Sequence, residues 1–232
     1  MAVDLRSFTP ARVAMGRSGH SWPTAELLRF QLDHARARDA VYQELDPANI
    51  GIPHVLLRSA ARDRVMYLRR PDLGRVLSPD SHGLLQRGDY DAAFVIADGL
   101  SATAVHHHAV PLLDALLPRL RAESWVLAPL KVVLQGRVAV GDEIGERLGA
   151  RLVVVVIGER PGLTSPDSLG VYLTWDPRPG RTDAERNCVS NIRTEGLSYS
   201  AAAHKIHFLM REARTRKLSG VALKEDAPLE LR

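Results

Sequence analysis

The sequence predicts an α/β fold: a mostly parallel, Rossmann-like or flavodoxin-like sheet flanked by helices and preceded by a helical amino-terminal region. Two observations lead to this prediction. From residue 92 onward, short apolar runs such as AAFVIAD and RLVVVVIG alternate with helical stretches, as in sheets that are buried on both faces. Before that point, helical spacing and proline- and glycine-rich connectors dominate. We therefore predict a helical region over residues 1–88 and an α/β domain over residues 89–232.

The first predicted helix begins near Ser21 or Thr24, with Pro23 in its first turn, where a missing N–H costs least. Its apolar residues recur at helical spacing and form a broad stripe: Leu27, Leu28, Leu32, Ala35, Val41 and Leu45. The connectors that follow join only short helices. Since short helices bury too little apolar area to fold alone, we expect this region to pack on a neighbouring domain or a partner subunit.

The second region reads in order as strand, helix, strand, helix, strand. The run AAFVIAD ends at Asp98, and Ser101 then caps the helix SATAVHHHAVPLLDALLPRL. WVLAPLKVVLQGRV, the short helix GDEIGERLG and the strong strand RLVVVVIG follow, and then a fourth apolar run, SLGVYLTW. The last helix is predicted from Ser200 to Leu218, with its buried side formed by Ala202, Ile206, Leu209 and Met210.

Composition excludes several classes of protein. No uninterrupted apolar run is long enough to cross a membrane. The 31 basic residues are spread among 27 acidic ones without a basic stripe interleaved with aromatics, so we do not predict a nucleic-acid partner. Cys188 is the single cysteine, which excludes an internal disulfide and predicts a reducing, cytoplasmic compartment.

Common site motifs are absent from the sequence. Neither the dinucleotide fingerprint G-x-G-x-x-G nor a phosphate-binding P-loop occurs. The histidines His106, His107 and His108 are consecutive on a helix and should point in three directions, so we predict a solvated face and no metal ligand. The loops at 98–101 and 158–163 follow strands and should lie on one edge of the sheet, where α/β proteins bind ligands. The second loop, GERPGL, is either a ligand site or a structural turn with an ion pair.

Seven blocks in order carry a resemblance to a known family: GRSG at 16–19, LLRFQLDHARARDAV at 27–41, YLRRPDLGR at 67–75, IADGLS at 96–101, QGRVAVGDEIGERLGA at 135–150, IGERPGL at 157–163 and AERNCVSNI at 184–192. The chain resembles the small subunit of ethanolamine ammonia-lyase over nearly its whole length. This resemblance implies a hetero-oligomer in which a large subunit binds ethanolamine and carries the catalytic residues. The small subunit closes over adenosylcobalamin, whose radical chemistry converts ethanolamine to acetaldehyde and ammonia.

By the same resemblance, the cobalamin contacts are Val138 in QGRV, Glu159 in GERPGL and Cys188 in ERNCVSN. Glu159 can accept hydrogen bonds from the amide side chains of the corrin, and Val138 and Cys188 offer small surfaces to a bulky ring. The base-off cobalamin motif D-x-H-x-x-G is not matched, because the nearest string, DSHGLL at 80–85, lacks the final glycine and precedes the first strand. The resemblance therefore implies base-on cofactor.

Family members associated with bacterial microcompartments carry a longer amino-terminal extension, and this chain begins close to the first matching block. We expect a freely cytoplasmic enzyme. Two alternatives remain at this point: a non-catalytic scaffold that uses GERPGL as a subunit contact, and the small subunit of another cobalamin-dependent enzyme.

Overall fold

A six-stranded mixed sheet forms the centre of the computed structural model, which describes residues 5, 8, 13, 15–17 and 19–224. The strands lie in the order β1-β3-β2-β4-β5-β6. Their bounds are β1 Val55–Arg58, β2 Ala92–Ala97, β3 Lys131–Leu134, β4 Leu152–Gly158, β5 Leu169–Trp175 and β6 Arg186–Ile192. The first four strands in space, β1, β3, β2 and β4, pair in parallel, and β5 and β6 add antiparallel pairings at the other edge. The predicted mostly parallel α/β sheet is confirmed.

Five α-helices surround this sheet or precede it. They are α1 Thr24–Tyr42, α2 Arg64–Arg69, α3 Ala102–Ala122, α4 Val140–Leu148 and α5 Tyr199–Arg216. Short 3-10 helices occupy several connectors, among them Pro79–Leu84, which covers the first five residues of the DSHGLL string. This string follows β1, so the prediction that it precedes the first strand is wrong. No helix in the part of the chain that the structure describes is long and apolar enough to span a bilayer.

The apolar core has two layers because the central strands alternate their side chains between two covered faces. Phe94 and Ile96 of β2 face α3 and α5, and they belong to the larger cluster with Leu112 and Ile206. Val95 of β2 faces the other side, where α4 packs. All six residues of β2 and all seven of β4 are buried, as their continuous apolar runs predict.

Most of the predicted elements occur close to their expected positions. Ser101 caps α3 by accepting a hydrogen bond from the N–H of Ala104. The predicted last helix runs from Tyr199 to Arg216, and its four predicted core residues are buried. Two strands were missed: β6 lies in the AERNCVSNI block, which was not predicted to be a strand, and β1 lies in the region predicted to hold only short helices and connectors, where it pairs with β3. The four residues of β1 are too few to show an alternation of polar and apolar residues.

Helix α1 differs from its prediction in its packing. It starts at Thr24, one of the two predicted starts, although Pro23 is the N-cap residue and lies before the first turn, and Ala40 is its only buried residue. Leu27, Leu28 and Leu32 are 41–58% exposed, so the broad apolar stripe is not covered by the described part of this chain. For Leu27, Leu28 and Leu32, the expectation that this stripe packs on something is therefore not met among the described residues.

Candidate functional site

The two loops predicted to lie on one edge of the sheet do approach each other there. The N–H of Leu100 donates a 3.0 Å hydrogen bond to the carbonyl of Gly158. Gly99 has φ of +57°, and a Cβ on it would stand 2.2 Å from the Gly158 carbonyl oxygen. A Cβ on Gly158 would in turn stand 2.1 Å from the carbonyl oxygen of Ser101. The ends of β2 and β4 can come this close only because both positions are glycine.

Asp98, at the end of β2, holds the loop that follows β3. Its two carboxylate oxygens each accept a 2.8 Å hydrogen bond, from the N–H groups of Gln135 and Gly136. Burial raises the pKa of Asp98 to about 6, against the opposing effects of Arg64 and these backbone donors. Arg64 lies 3.6 Å from the carboxylate and also donates to the carbonyl of Gly99. The carboxylate therefore joins two loops of the same edge.

A buried tyrosine forms one wall of the site. The ring of Tyr67 lies between two guanidinium groups, 4.8 Å from that of Arg64 and 4.5 Å from that of Arg137. Its hydroxyl donates to the carbonyl of Gly136, and burial raises its pKa to about 12. Arg64 Nη2 and Arg137 Nε are buried and make no hydrogen bond within the residues described. Two unsatisfied donors therefore remain beside this wall.

Two adjoining clefts open at the carboxyl edge of the sheet. The first, of about 450 Å³, is lined by residues of several loops and strands, including Leu100, Val138, Ile157, Glu159 and Tyr172. The second, of about 470 Å³, shares Arg137, Val138 and Tyr172 with the first and adds Arg75, Arg181 and Arg186. The shared residues make the two clefts one continuous surface with apolar walls and several arginines.

Glu159 is oriented by contacts to one of its carboxylate oxygens. Oε2 accepts hydrogen bonds from Ser168 Oγ at 2.7 Å and from the N–H of Asn191 at 3.2 Å. Oε1 takes part in no hydrogen bond among the described residues, and it lies 3.0 Å from the position that a Cβ on Gly170 would occupy. The carboxylate is thus fixed by one oxygen and free to accept from a ligand with the other.

Cys188 lies on β6, directly opposite Tyr172 of β5. Desolvation raises the pKa of Cys188, and the nearby Glu159 carboxylate adds to this shift. Desolvation likewise raises the pKa of Tyr172, with Cys188 contributing. Both groups keep their protons at neutral pH, so the thiol lacks the thiolate character that a nucleophile requires.

The three site residues predicted by resemblance therefore meet around one side chain. Val138 and Glu159 line the first cleft together with Tyr172, and Cys188 pairs with Tyr172 from the next strand. No role for Arg64, Tyr67 or Arg137 was predicted from the sequence. YLRRPDLGR and QGRV contain Tyr67 and Arg137, but only the fold shows that these two blocks lie against each other.

The histidine run departs from its prediction. His106 accepts a hydrogen bond from the N–H of Asp46, 3.3 Å away, and so points away from the next two. His107 and His108, however, both approach the carboxylate of Asp167. The solvated-face interpretation is wrong for His108, which is buried. Helical periodicity predicts directions of side chains and does not show which loop lies across them.

Comparison with known proteins agrees with the resemblance that the seven sequence blocks carry along nearly the whole chain. The family model for the ethanolamine ammonia-lyase light chain matches residues 1–224. A protein of Azotobacter vinelandii, described as an ethanolamine ammonia-lyase small subunit, is 60% identical over 237 aligned residues, which cover 97% of this chain and 88% of that protein. Small subunits from Ralstonia nicotianae and Xanthomonas campestris pv. campestris are each 57% identical, covering 98% and 96% of this chain and 89% and 87% of theirs. The chain therefore belongs to the ethanolamine ammonia-lyase light-chain family, a family of lyase subunits.

Proposed function

We propose that this chain is the small subunit of an adenosylcobalamin-dependent ethanolamine ammonia-lyase and that it holds one side of the cofactor at the carboxyl edge of its sheet. The observation that carries the proposal is the convergence of Val138, Glu159 and Cys188 around Tyr172 at this edge. Open α/β sheets bind their ligands at this position.

The chemistry of the cleft suits a corrinoid. Corrin side chains end in amides, which both donate and accept hydrogen bonds. Glu159 Oε1 is free to accept from an amide N–H, and Arg137 Nε is a buried donor without a partner in the described residues. Val138, Leu100 and Ile157 supply apolar surface for the edge of the ring. The donor set therefore fits the periphery of the cofactor.

The size of the clefts favours a cofactor site that is shared with a second subunit. A cobalamin molecule is larger than either cleft, so this surface would contact only part of it. A large subunit would then cover the remainder, bind ethanolamine and contribute the catalytic residues. Cobalamin supplies radical chemistry when bound. The residues of this chain would bind and orient it and exclude water from one side, with no reacting group among them.

The exposed stripe of α1 supports contact with a large partner subunit. Leu27, Leu28 and Leu32 lie within about one and a half turns of a helix, and each has at least 41% of its surface exposed. A contiguous exposed apolar patch of this kind is typical of subunit interfaces. The small-subunit relatives are named for such an assembly.

The test is to co-purify the chain with its large partner and compare the complex with each subunit alone. We expect the cobalamin absorption spectrum to be retained by the complex and acetaldehyde to be released from ethanolamine only by it. Retention of cobalamin without turnover of ethanolamine would favour another cobalamin enzyme, and absence of both would favour a scaffold.

Glu159→Ala tests the role of the site. It removes the accepting oxygen from a half-buried residue at the cleft, so we expect weaker retention of cobalamin by the complex with little change in thermal unfolding. Glu146→Ala, on α4 and exposed, is the matched control and should leave retention unchanged. Equal cobalamin affinity in a folded Glu159→Ala complex would remove Glu159 from the site.

A further inference from the structure

A second candidate site lies between α3 and the loop that joins β4 to β5, residues 159–168, which begins within the GERPGL segment. Asp167 near the end of this loop reaches two consecutive histidines of α3. Its Oδ2 is 3.5 Å from His107 Nδ1 and 3.4 Å from His108 Nε2, and the three atoms lie within 4.8 Å of one another. Two imidazoles and a carboxylate are ligands that divalent zinc prefers.

His108 is held in the orientation that a metal ligand requires. Its Nδ1 is 2.8 Å from the hydroxyl of Tyr199, and its side chain is only 6% exposed. An imidazole that donates from Nδ1 to such a partner presents the lone pair of Nε2 on its other side. Metal-binding histidines are commonly fixed in this manner by a second residue.

The Nε2 atom of His108 is unsatisfied although a carboxylate oxygen is close. It is buried and makes no hydrogen bond to any described residue, because the 3.4 Å approach of Asp167 lacks hydrogen-bonding geometry. A buried Nε2 lone pair that faces a carboxylate is repelled unless a proton or a metal ion lies between them. The cluster therefore combines a metal-ligand set with an unpartnered buried atom directed into it.

The two separations to Asp167 Oδ2 suit tetrahedral zinc, and the separation between the His107 and His108 nitrogens, which is up to 4.8 Å, would have to shorten when the ion binds. Bonds of about 2.0–2.1 Å from zinc to nitrogen or oxygen place neighbouring ligand atoms roughly 3.4 Å apart. The two separations to Asp167 Oδ2 are 3.4 and 3.5 Å. His107 is exposed and Asp167 is about one-third exposed, which leaves a route for the ion and a fourth position for water. Magnesium and calcium, which prefer sets made of oxygen alone, suit the cluster less well.

We propose that His107, His108 and Asp167 form a zinc-binding site that fastens the GERPGL loop to α3. Ser168, the residue after Asp167, donates to Glu159, and Ser101 at the start of α3 donates from Oγ to the carbonyl of Pro166 in the same loop. Only the second of these contacts joins the loop to α3, and a bound ion would add another tie between them. Zinc binding itself does not depend on the proposed cobalamin function. Only the significance of a fastened loop for Glu159, a proposed cofactor contact, rests on that function.

The experiment measures zinc directly. The full chain is treated with a chelator, dialysed against micromolar zinc sulfate and analysed for bound zinc by mass spectrometry, with isothermal titration for affinity. We expect one zinc per chain and a zinc-dependent rise in the unfolding temperature. Asp167→Asn, which preserves the shape of the side chain, should abolish both effects. Tyr199→Phe should weaken binding about 10–100-fold by removing the hydroxyl that orients the ring of His108.

His106→Gln is the matched control, because it alters the adjacent histidine of the same helix outside the cluster. It should bind zinc as the unaltered chain does. Circular dichroism establishes that each variant is folded. Failure of the unaltered chain to retain zinc, or equal zinc affinity in folded Asp167→Asn, would overturn the proposal. Either result would leave the cobalamin proposal standing, because cobalamin retention is measured independently in the complex.

Discussion

The buried pair formed by Asp142 and Arg186 provides a sharp test of what holds the second cleft together. Arg186 of β6 donates to both oxygens of Asp142 of α4 at 2.8 Å, and each side chain is only 2% exposed. Arg186 also donates to Thr174 and to the carbonyl of Arg181. Truncating one partner would leave the other charge buried without its counter-ion.

The magnitude follows from that burial. Loss of one partner of a buried ion pair costs about 3–5 kcal/mol. For a protein of this size, about 2–4 °C of unfolding temperature correspond to each kcal/mol, so Arg186→Met should lower the unfolding temperature by roughly 6–20 °C. The pKa of Asp142 is nevertheless raised, because the desolvation caused by burial outweighs the contacts with Arg186. The pair is therefore costly to break and of small net benefit when intact.

This reasoning predicts that the double variant Asp142→Leu/Arg186→Met is more stable than either single variant, because no unpaired charge remains. Thermal unfolding of the full chain by circular dichroism measures all three. The exposed pair of Asp89 and Arg151 is the control, and Asp89→Ala should cost less than about 1 kcal/mol. A single variant that unfolds within about 2 °C of the unaltered chain, or a double variant less stable than both singles, would refute the argument.

Two further predictions concern the carboxyl edge of the sheet. Gly170→Ala places a Cβ 3.0 Å from Glu159 Oε1, so it should weaken cobalamin retention in the complex while circular dichroism remains unchanged, and full retention would show that the carboxylate tolerates displacement. Asp98 has a folded-state pKa of about 6, above its ordinary value of 3.8, so its contribution to stability is present below about pH 4 and is lost as the pH rises through 6. Urea unfolding measures the free energy of unfolding of the unaltered chain and of Asp98→Asn. The difference between the two should fall by on the order of 1 kcal/mol between about pH 5 and about pH 7.5, and a constant difference would contradict this.

Sequence reasoning succeeded where a local pattern had one structural meaning. The apolar runs of β2 and β4 indicated strands buried on both faces, and both are fully buried. Ser101 after Gly99 and Leu100 indicated a helix cap, which the hydrogen bond to Ala104 confirms. The seven matching blocks indicated the family, since a long ordered match is far more specific than any single motif.

Sequence reasoning failed where the structure depends on contacts between distant segments. Strand β1 is only four residues long, and its pairing with β3 was not visible in the sequence. The position of the Tyr67 ring between two guanidiniums depends on the packing of α2 against the loop after β3. Similarly, helical spacing predicted that three histidine side chains point in different directions, whereas the loop that carries Asp167 places its carboxylate next to two of them.

The sequence by itself determined the fold class, the family and the edge of the sheet where the candidate site lies, because the periodicity of buried residues, helix capping and ordered motifs are local properties of the chain. The tertiary structure decided which side chains share that edge. Val138, Glu159 and Cys188 belong to three separate segments, and only strand order and register bring them around Tyr172. The sequence also did not determine that Glu159 has a free carboxylate oxygen or that His108 has an unsatisfied nitrogen. Whether a polar atom finds a hydrogen-bond partner depends on neighbours that only the fold supplies.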